Sequence, residues 1–448
     1  MFTNSSSKST RPAVLVTSLV MAATLFASAC GGSTTEAALD GATSPDSTAA
    51  EDAVIGALFD ATMVHSISVS VDDTTFSDML SVYITSGDKE WIEATVTIDG
   101  STYEQVGIKL KGNSSLRGVS TDASPEDLPW LIRLDKYVDD QNHEGYVDLV
   151  VRSNNTTTAL NEAVALELLG DAGLATEKAM EIGFSVNGSD AVLRLVVEHP
   201  DDVWMADNFS ADGALYKAES GGDYSYRGDD PEAYDDIFDQ EAGKDNADLT
   251  PLIGFLDFIN NADDETFASE LSDRLDVESF ATYLAMMDLV DNFDDIDGPG
   301  NNSYLYYDTE TEQFTVVPWD LNLAFGIMTE GGGGFGGPPA GAPAVGQRPE
   351  GGLPAGGEFG QRPEGGPPAD GGFGRPGGSN ILVERFKANT EFNSLYTAAL
   401  EQLDAELFAS GHAQEVLDQW TAVLETTPDL VDVTTVSTEA SVIETYLA

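Results

Sequence analysis

The sequence predicts an α+β protein in two lobes, β-rich over residues 54–200 and mainly helical over 201–448. Short alternating apolar runs, broken by Asp-Gly and Asn-Gly turns, fill the first part. Apolar residues at helical spacing dominate from Pro200 to about residue 290 and return near residue 380. Hydrophobic residues make up 41% of the 448, enough to bury a core despite a formal charge of −58.

The first thirty residues read as an export signal. Lys8 and Arg11 precede the mostly apolar run PAVLVTSLVMAATLFASA, which is short for a membrane span. Cys30 is the only cysteine, so no intramolecular disulfide is possible. Preceded by Ala27-Ser28-Ala29 and followed by Gly31, it looks like a bacterial lipobox cysteine. That resemblance implies a lipidated mature N-terminus at Cys30, anchored to the outer face of the cell membrane. An ordinary signal peptide cut near the same point is the alternative. Residues 31–53 are small, polar and acidic, a flexible tether.

HSISVSV (65–71) alternates as a strand, and Asp72 or Asp73 caps a helix over TTFSDMLSVYI. EWIEATVTIDG and TYEQVGIKLKG form a hairpin about Asp99-Gly100, and LPWLIRLDKYV and GYVDLVVRSN continue the antiparallel pattern. Residues 158–173 form a helix ending in glycine, and AMEIGFSVNGSDAVLRLVVEH gives two strands about Asn187-Gly188. A linker near 198–202 leads into helical texture such as LTPLIGFLDFINNA and VESFATYLAMMDLVDNF. Residues 329–379 are Gly/Pro-rich, with GQRPEGG occurring twice, a disordered or polyproline-like insert. Glycine does not recur every third residue there, which excludes collagen. Helical pattern resumes at NILVERF.

Twenty basic residues against 78 acidic ones exclude nucleic acid and basic-patch docking to anionic lipid. The balance suits an acidic surface in salt or divalent cations. Within it, Asp320 stands inside the apolar run VVPWDLN, where a carboxylate needs a partner, and a metal ion is one. Asn322 shares its face if the segment is extended. Upstream, LVDNFDDIDGPGNNSYLYY carries an apolar helix through an Asp/Asn/Gly loop into an aromatic strand. Together these offer oxygen donors for a hard cation such as magnesium, with one loop carboxylate free to act as a base. An acidic turn or a structural calcium loop is the other reading of DDIDGPGNN, although its spacing is not that of an EF-hand. Two-carboxylate glycoside hydrolysis is open as well, but nothing selects a pair.

VGIKLKGNSSLRG, VVRSNNTTTALNEAVALELLGDAG, FSVNG, VVEHPDD, GALYKAE, DLVDNFDDIDGPGNNSYLYYD and VVPWDLNLAFG occur in that order. So ordered, they resemble the spore-coat protein H (CotH) kinase family, over roughly residues 65–330 and more weakly after the insert. The resemblance implies an atypical protein-kinase-like fold that uses ATP with Mg²⁺ or Mn²⁺. Asp294 would be the catalytic carboxylate, with Asn302 and Asp320 as metal ligands. Glu162, on the 158–173 helix, would pair with a phosphate-binding cation. Lys111 and Arg133 are favoured for that cation, with Lys109 and Lys217 as further candidates. Glu198 and Lys217 would also face the nucleotide. The sequence departs from ordinary kinases: no GxGxxG or HRD is present, and Asn302 follows Asp294 by eight positions rather than five.

The expected activity is transfer of phosphate from ATP to Ser or Thr of a cell-envelope protein. The alternatives are a catalytically weak surface binding or assembly module holding Ca²⁺ and, as a third class, a secreted hydrolase of envelope polymers. Scarce extracytoplasmic ATP and an acidic surface that repels nucleotide both weigh against the kinase reading.

Overall fold

The computed structural model describes residues 57–447 except 210–211, 220, 245–246, 299–300 and 328–379. The expected export signal with Cys30, the expected tether and the Gly/Pro-rich segment therefore lie outside the described residues.

Seven strands of the first half close into a barrel. They are β1 (His65–Ser70), β2 (Ile92–Ile98), β3 (Ser101–Leu110), β4 (Trp130–Arg133), β5 (Asp148–Val151), β6 (Ala179–Val186) and β7 (Val192–Glu198). Their order is β1-β2-β3-β4-β5-β7-β6, and a parallel β1–β6 pair closes the ring among antiparallel neighbours. Along β1, buried Ile67 and Val69 alternate with exposed Ser66, Ser68 and Ser70, as a strand with one wet face requires. Asp99-Gly100 and Asn187-Gly188 turn their hairpins with positive φ at both residues, the conformation these dipeptides adopt most readily. Helix α1 (Asp73–Ser86) starts where Asp72 accepts from the Thr75 N–H and stops at left-handed Gly87.

Helix α2 (Leu160–Asp171) is buried on nearly every side. Its residues share one core with Leu193, Leu195 and Val197 of the barrel and with Leu417 and Trp420 near the C-terminus. The same core takes in Leu131 and Val150 of the barrel and the later helices, and the described residues form one compact unit. A second cluster, with Ile67, Val96, Ile108 and Ile182, fills the barrel, and the secondary structure changes near residue 200.

The second half is not purely helical. A four-stranded sheet runs β11-β10-β8-β9, from β8 (Gly213–Ala218), β9 (Phe238–Ala242), β10 (Ser303–Asp308) and β11 (Phe314–Pro318). The expectation of helix from Pro200 to residue 290 fails at β8 and β9 for a physical reason. Leu215 enters one core while Ala214 and Tyr216 enter another, so both faces of β8 are covered and no alternation shows. Around this sheet lie α3 (Asp202–Asn208), α4 (Thr250–Asn261), α5 (Asp264–Glu270) and α6 (Val277–Leu289). After the insert come α7 (Ile381–Ala388), α8 (Thr390–Leu403), α9 (His412–Glu425) and α10 (Val433–Leu447).

Candidate functional site

The open end of the β10–β11 hairpin gathers the polar groups that the sequence singles out. Register pairs Ser303 with Pro318, which puts Asn302 beside Trp319 and Asp320. Asp294 lies on the loop that leaves α6, and the Asn302 Nδ2 donates to its backbone oxygen at 2.8 Å. Burial pushes the Asp294 carboxyl up to about 6; the nearby Asp320 charge adds to this and Asn302 opposes it. Asp320 has φ of 63°, a left-handed conformation that Asp tolerates better than most residues. The next residues, Leu321–Leu323, form a turn of 3₁₀ helix, so Asn322 does not share the face of Asp320 as an extended segment would allow. Instead, the Asn322 carbonyl accepts from Asn161 Nδ2 at 2.7 Å.

The partner of Asp320 within the chain is Arg152, which follows β5 directly. Its guanidinium donates to Asp320 and also forks onto Glu162 of α2, at 2.9 and 3.1 Å. Glu162 is 3% exposed and Asp320 is 25% exposed, so Arg152 joins an interior carboxylate to one that solvent reaches. Burial pushes the Glu162 carboxyl up, Arg152 pulls it down, and the Asp320 charge pushes it up again. Arg152 stays charged throughout, because two carboxylates outweigh its own desolvation. A strand cation held by a helix carboxylate beside a loop aspartate is the arrangement that phosphoryl-transfer enzymes use to hold phosphates and metal. Sequence reasoning missed Arg152. The available signal was an arginine following the apolar run LVV in a chain with few cations.

Residues 108–442 match the CotH family, described as CotH kinase protein. The chain belongs to the CotH kinase protein family. Over 172 residues it is also 26% identical to the inner spore coat protein H of Bacillus subtilis (strain 168), a stretch covering 37% of this chain and 46% of that protein. The chain thus spans less than half the length of this curated relative. Arg152, Glu162, Asp294, Asn302 and Asp320 all fall inside the CotH match.

The cations first considered as partners of Glu162 are engaged elsewhere in this CotH chain. Lys111 Nζ lies 2.9 Å from His199 Nε2, and His199 Nδ1 lies 3.1 Å from Asp148. Arg133 grips both oxygens of Asp148. Burial raises the Asp148 carboxyl, but hydrogen bonds from His199 and Arg133 prevail and hold it at about 2. An ionised Asp148 accepts the Nδ1 proton, which leaves the His199 Nε2 lone pair to accept from Lys111. Burial, and then Lys111, depress the imidazole to about 4, and burial brings Lys111 itself down to about 7. Lys109 stands over the Trp91 ring at 4.7 Å, and Lys217 pairs with Glu219 at 3.1 Å. Glu198 takes the backbone N–H of Lys178 at 2.7 Å and its Nζ at 3.3 Å. Trp319 links the two clusters, with Lys111 and Arg152 both over its ring, at 5.5 and 5.9 Å.

Two acidic groupings compete as a metal centre. Asp148, His199 and Asp201 lie within mutual ligand reach, yet their donor atoms are used by Arg133, by Lys111 and by the N–H groups of Val203 and Trp204. A cation there would displace two positive side chains. Asp294, Asn302 and Asp320 instead offer carboxylate and amide oxygens only, the donor set of a hard divalent ion. Burial first and then the Asp320 charge raise the Asp294 carboxyl, and added positive charge would offset the second.

Proposed function

We propose that this CotH-family chain is an atypical kinase that transfers phosphate from ATP to Ser or Thr hydroxyls of a cell-envelope protein. Arg152, bridging Glu162 and Asp320, is the observation that carries the reading. Arg152 would contact the phosphates, Glu162 would hold Arg152 in place, and Asp320 with Asn302 would ligate Mg²⁺ or Mn²⁺. Asp294 would orient the acceptor hydroxyl and take its proton. A divalent ion held by Asp320 and Asn302 would supply positive charge to the phosphates. The β-rich half, the strand–helix ion pair and the following helical half support a kinase-like, two-lobed relation. Lys111, Arg133, Lys217 and Glu198 would line the nucleotide side of the cleft, with Lys111 nearest through its shared contact with Trp319. The export signal and Cys30 support placement at the outer face of the membrane, and none of the described helices is long and apolar enough to cross one.

One observation favours a second reading. Arg152 already occupies an oxygen of Asp320, which suits a catalytically weak module that holds Ca²⁺ and docks a partner. Labelled ATP distinguishes the two. The chain from residue 54, incubated with Mg²⁺ and then Mn²⁺, should label itself or a generic acceptor, and Asp320→Ala should abolish the label. Equal label in both proteins discards the site. No label in either, with Ca²⁺ but not ATP raising the melting temperature, selects the binding module.

A further inference from the structure

Helix α2 lacks a side-chain cap of its own. The residue before it, Ala159, is left-handed and offers none. The segment that leads into it is held from the far end of the chain instead, and the Thr158 hydroxyl in turn accepts from the Leu160 N–H at 3.3 Å. Glu439 of α10 accepts from the N–H groups of Thr157 and Thr158, each at 2.9 Å, and from the Thr158 hydroxyl at 2.5 Å. A carboxylate here satisfies three donors of the two residues just ahead of Ala159 and so fixes the entry into α2. The first turn that follows carries both grips on the site, since Asn161 holds the Asn322 carbonyl and Glu162 holds Arg152.

The other end of α10 reaches the same site from behind. Tyr446 packs edge-on against Phe325, with ring centroids 6.2 Å apart. A Cβ on Gly326 would collide with the Tyr446 hydroxyl. Gly326 also has φ of 63°, so a side chain there is excluded both by the backbone and by α10. One helix therefore touches the segment that presents Glu162 and the turn that follows Asp320.

We propose that α10 is a positioning element of the site, with Glu439 and Tyr446 fixing the spacing between the Arg152–Glu162 pair and Asp320. Glu439 would not touch nucleotide or metal; it acts through α2. The inference builds on the site described above, but its primary test does not require the chain to transfer phosphate.

Hydrogen exchange on the full chain supplies that test. Glu439→Ala should speed exchange about tenfold at 157–163 and again at 321–326, with α8 and the barrel strands unchanged. Glu439→Gln keeps an acceptor oxygen and should restore most of the protection. Tyr446→Phe keeps the ring and should leave exchange as it is, whereas Tyr446→Ala should loosen 321–326. Mn²⁺ affinity should weaken about fivefold in Glu439→Ala and recover in Glu439→Gln. Faster exchange confined to 157–160 would reduce Glu439 to a local cap and overturn the proposal. Faster exchange spread evenly over α9, α10 and the core would overturn it too, as simple destabilisation. A chain that positions normally yet labels nothing would sink the kinase reading alone.

Discussion

Arg152→Ala should be the most damaging single change in the site, costing about 3–5 kcal/mol of folding stability, as removal of one partner from a buried ion pair does. The cost comes from Glu162, which is left 3% exposed with no cation to offset its desolvation. Asp320 loses its partner as well, but solvent reaches it and screens the loss. Arg152→Lys should recover only part of the stability, since a point charge cannot fork onto Glu162 while also holding Asp320. Arg152→Met with Glu162→Leu should recover most of it, because no buried charge then remains unpaired. Phosphate transfer should stay abolished in that double variant. Urea unfolding of the four proteins tests the ranking; a midpoint for Arg152→Ala equal to wild type would remove Arg152 from the centre of the site.

Much of the barrel was legible because its signals are local. Asp72 capping α1, the Asp99-Gly100 and Asn187-Gly188 turns, and the periodicity of α2 each act over a few residues. Closure through the parallel β1–β6 pair was not legible, since it joins His65 to Ile182 with no turn between them. The helical half misled for the opposite reason. Strands β8 and β9 are six and five residues long and lie within an otherwise helical stretch, and β8 is covered on both faces.

The site divided in the same way. Asp294, Asn302 and Asp320 stand out because polar groups among Val, Pro, Trp and Leu require an explanation, and the fold does bring them together. The cation that answers Asp320 lies 168 positions away, on a strand end whose neighbours gave no hint of direction. Lys111 and Arg133 drew attention as rare cations on strands, but a strand places successive side chains on opposite faces, and theirs meet His199 and Asp148. Glu439 was out of reach altogether, being a common residue on an amphipathic helix whose role arises only in tertiary contact.

Asp294→Asn should abolish phosphate transfer and at the same time stabilise the fold. Loss of a positioned base costs about 10²–10⁴ in rate. The gain in stability follows from the raised carboxyl. Its ordinary value is 3.8 and the folded protein holds it at about 6, so the unfolded chain ionises first as pH rises. Below about pH 4 both states are protonated and the group costs nothing. Between about 4 and 6 the cost grows, and at pH 7 it reaches about 2–3 kcal/mol. Asparagine cannot ionise, so the variant escapes this penalty. Its melting temperature should exceed that of wild type at pH 7, and the difference should vanish by pH 4. Bound Mg²⁺ favours the ionised carboxylate and should narrow the gap at pH 7. Thermal unfolding at pH 4 and pH 7, with and without Mg²⁺, decides the point. If Asp294→Asn is less stable than wild type at both pH values, the carboxylate is a structural anchor and not the base.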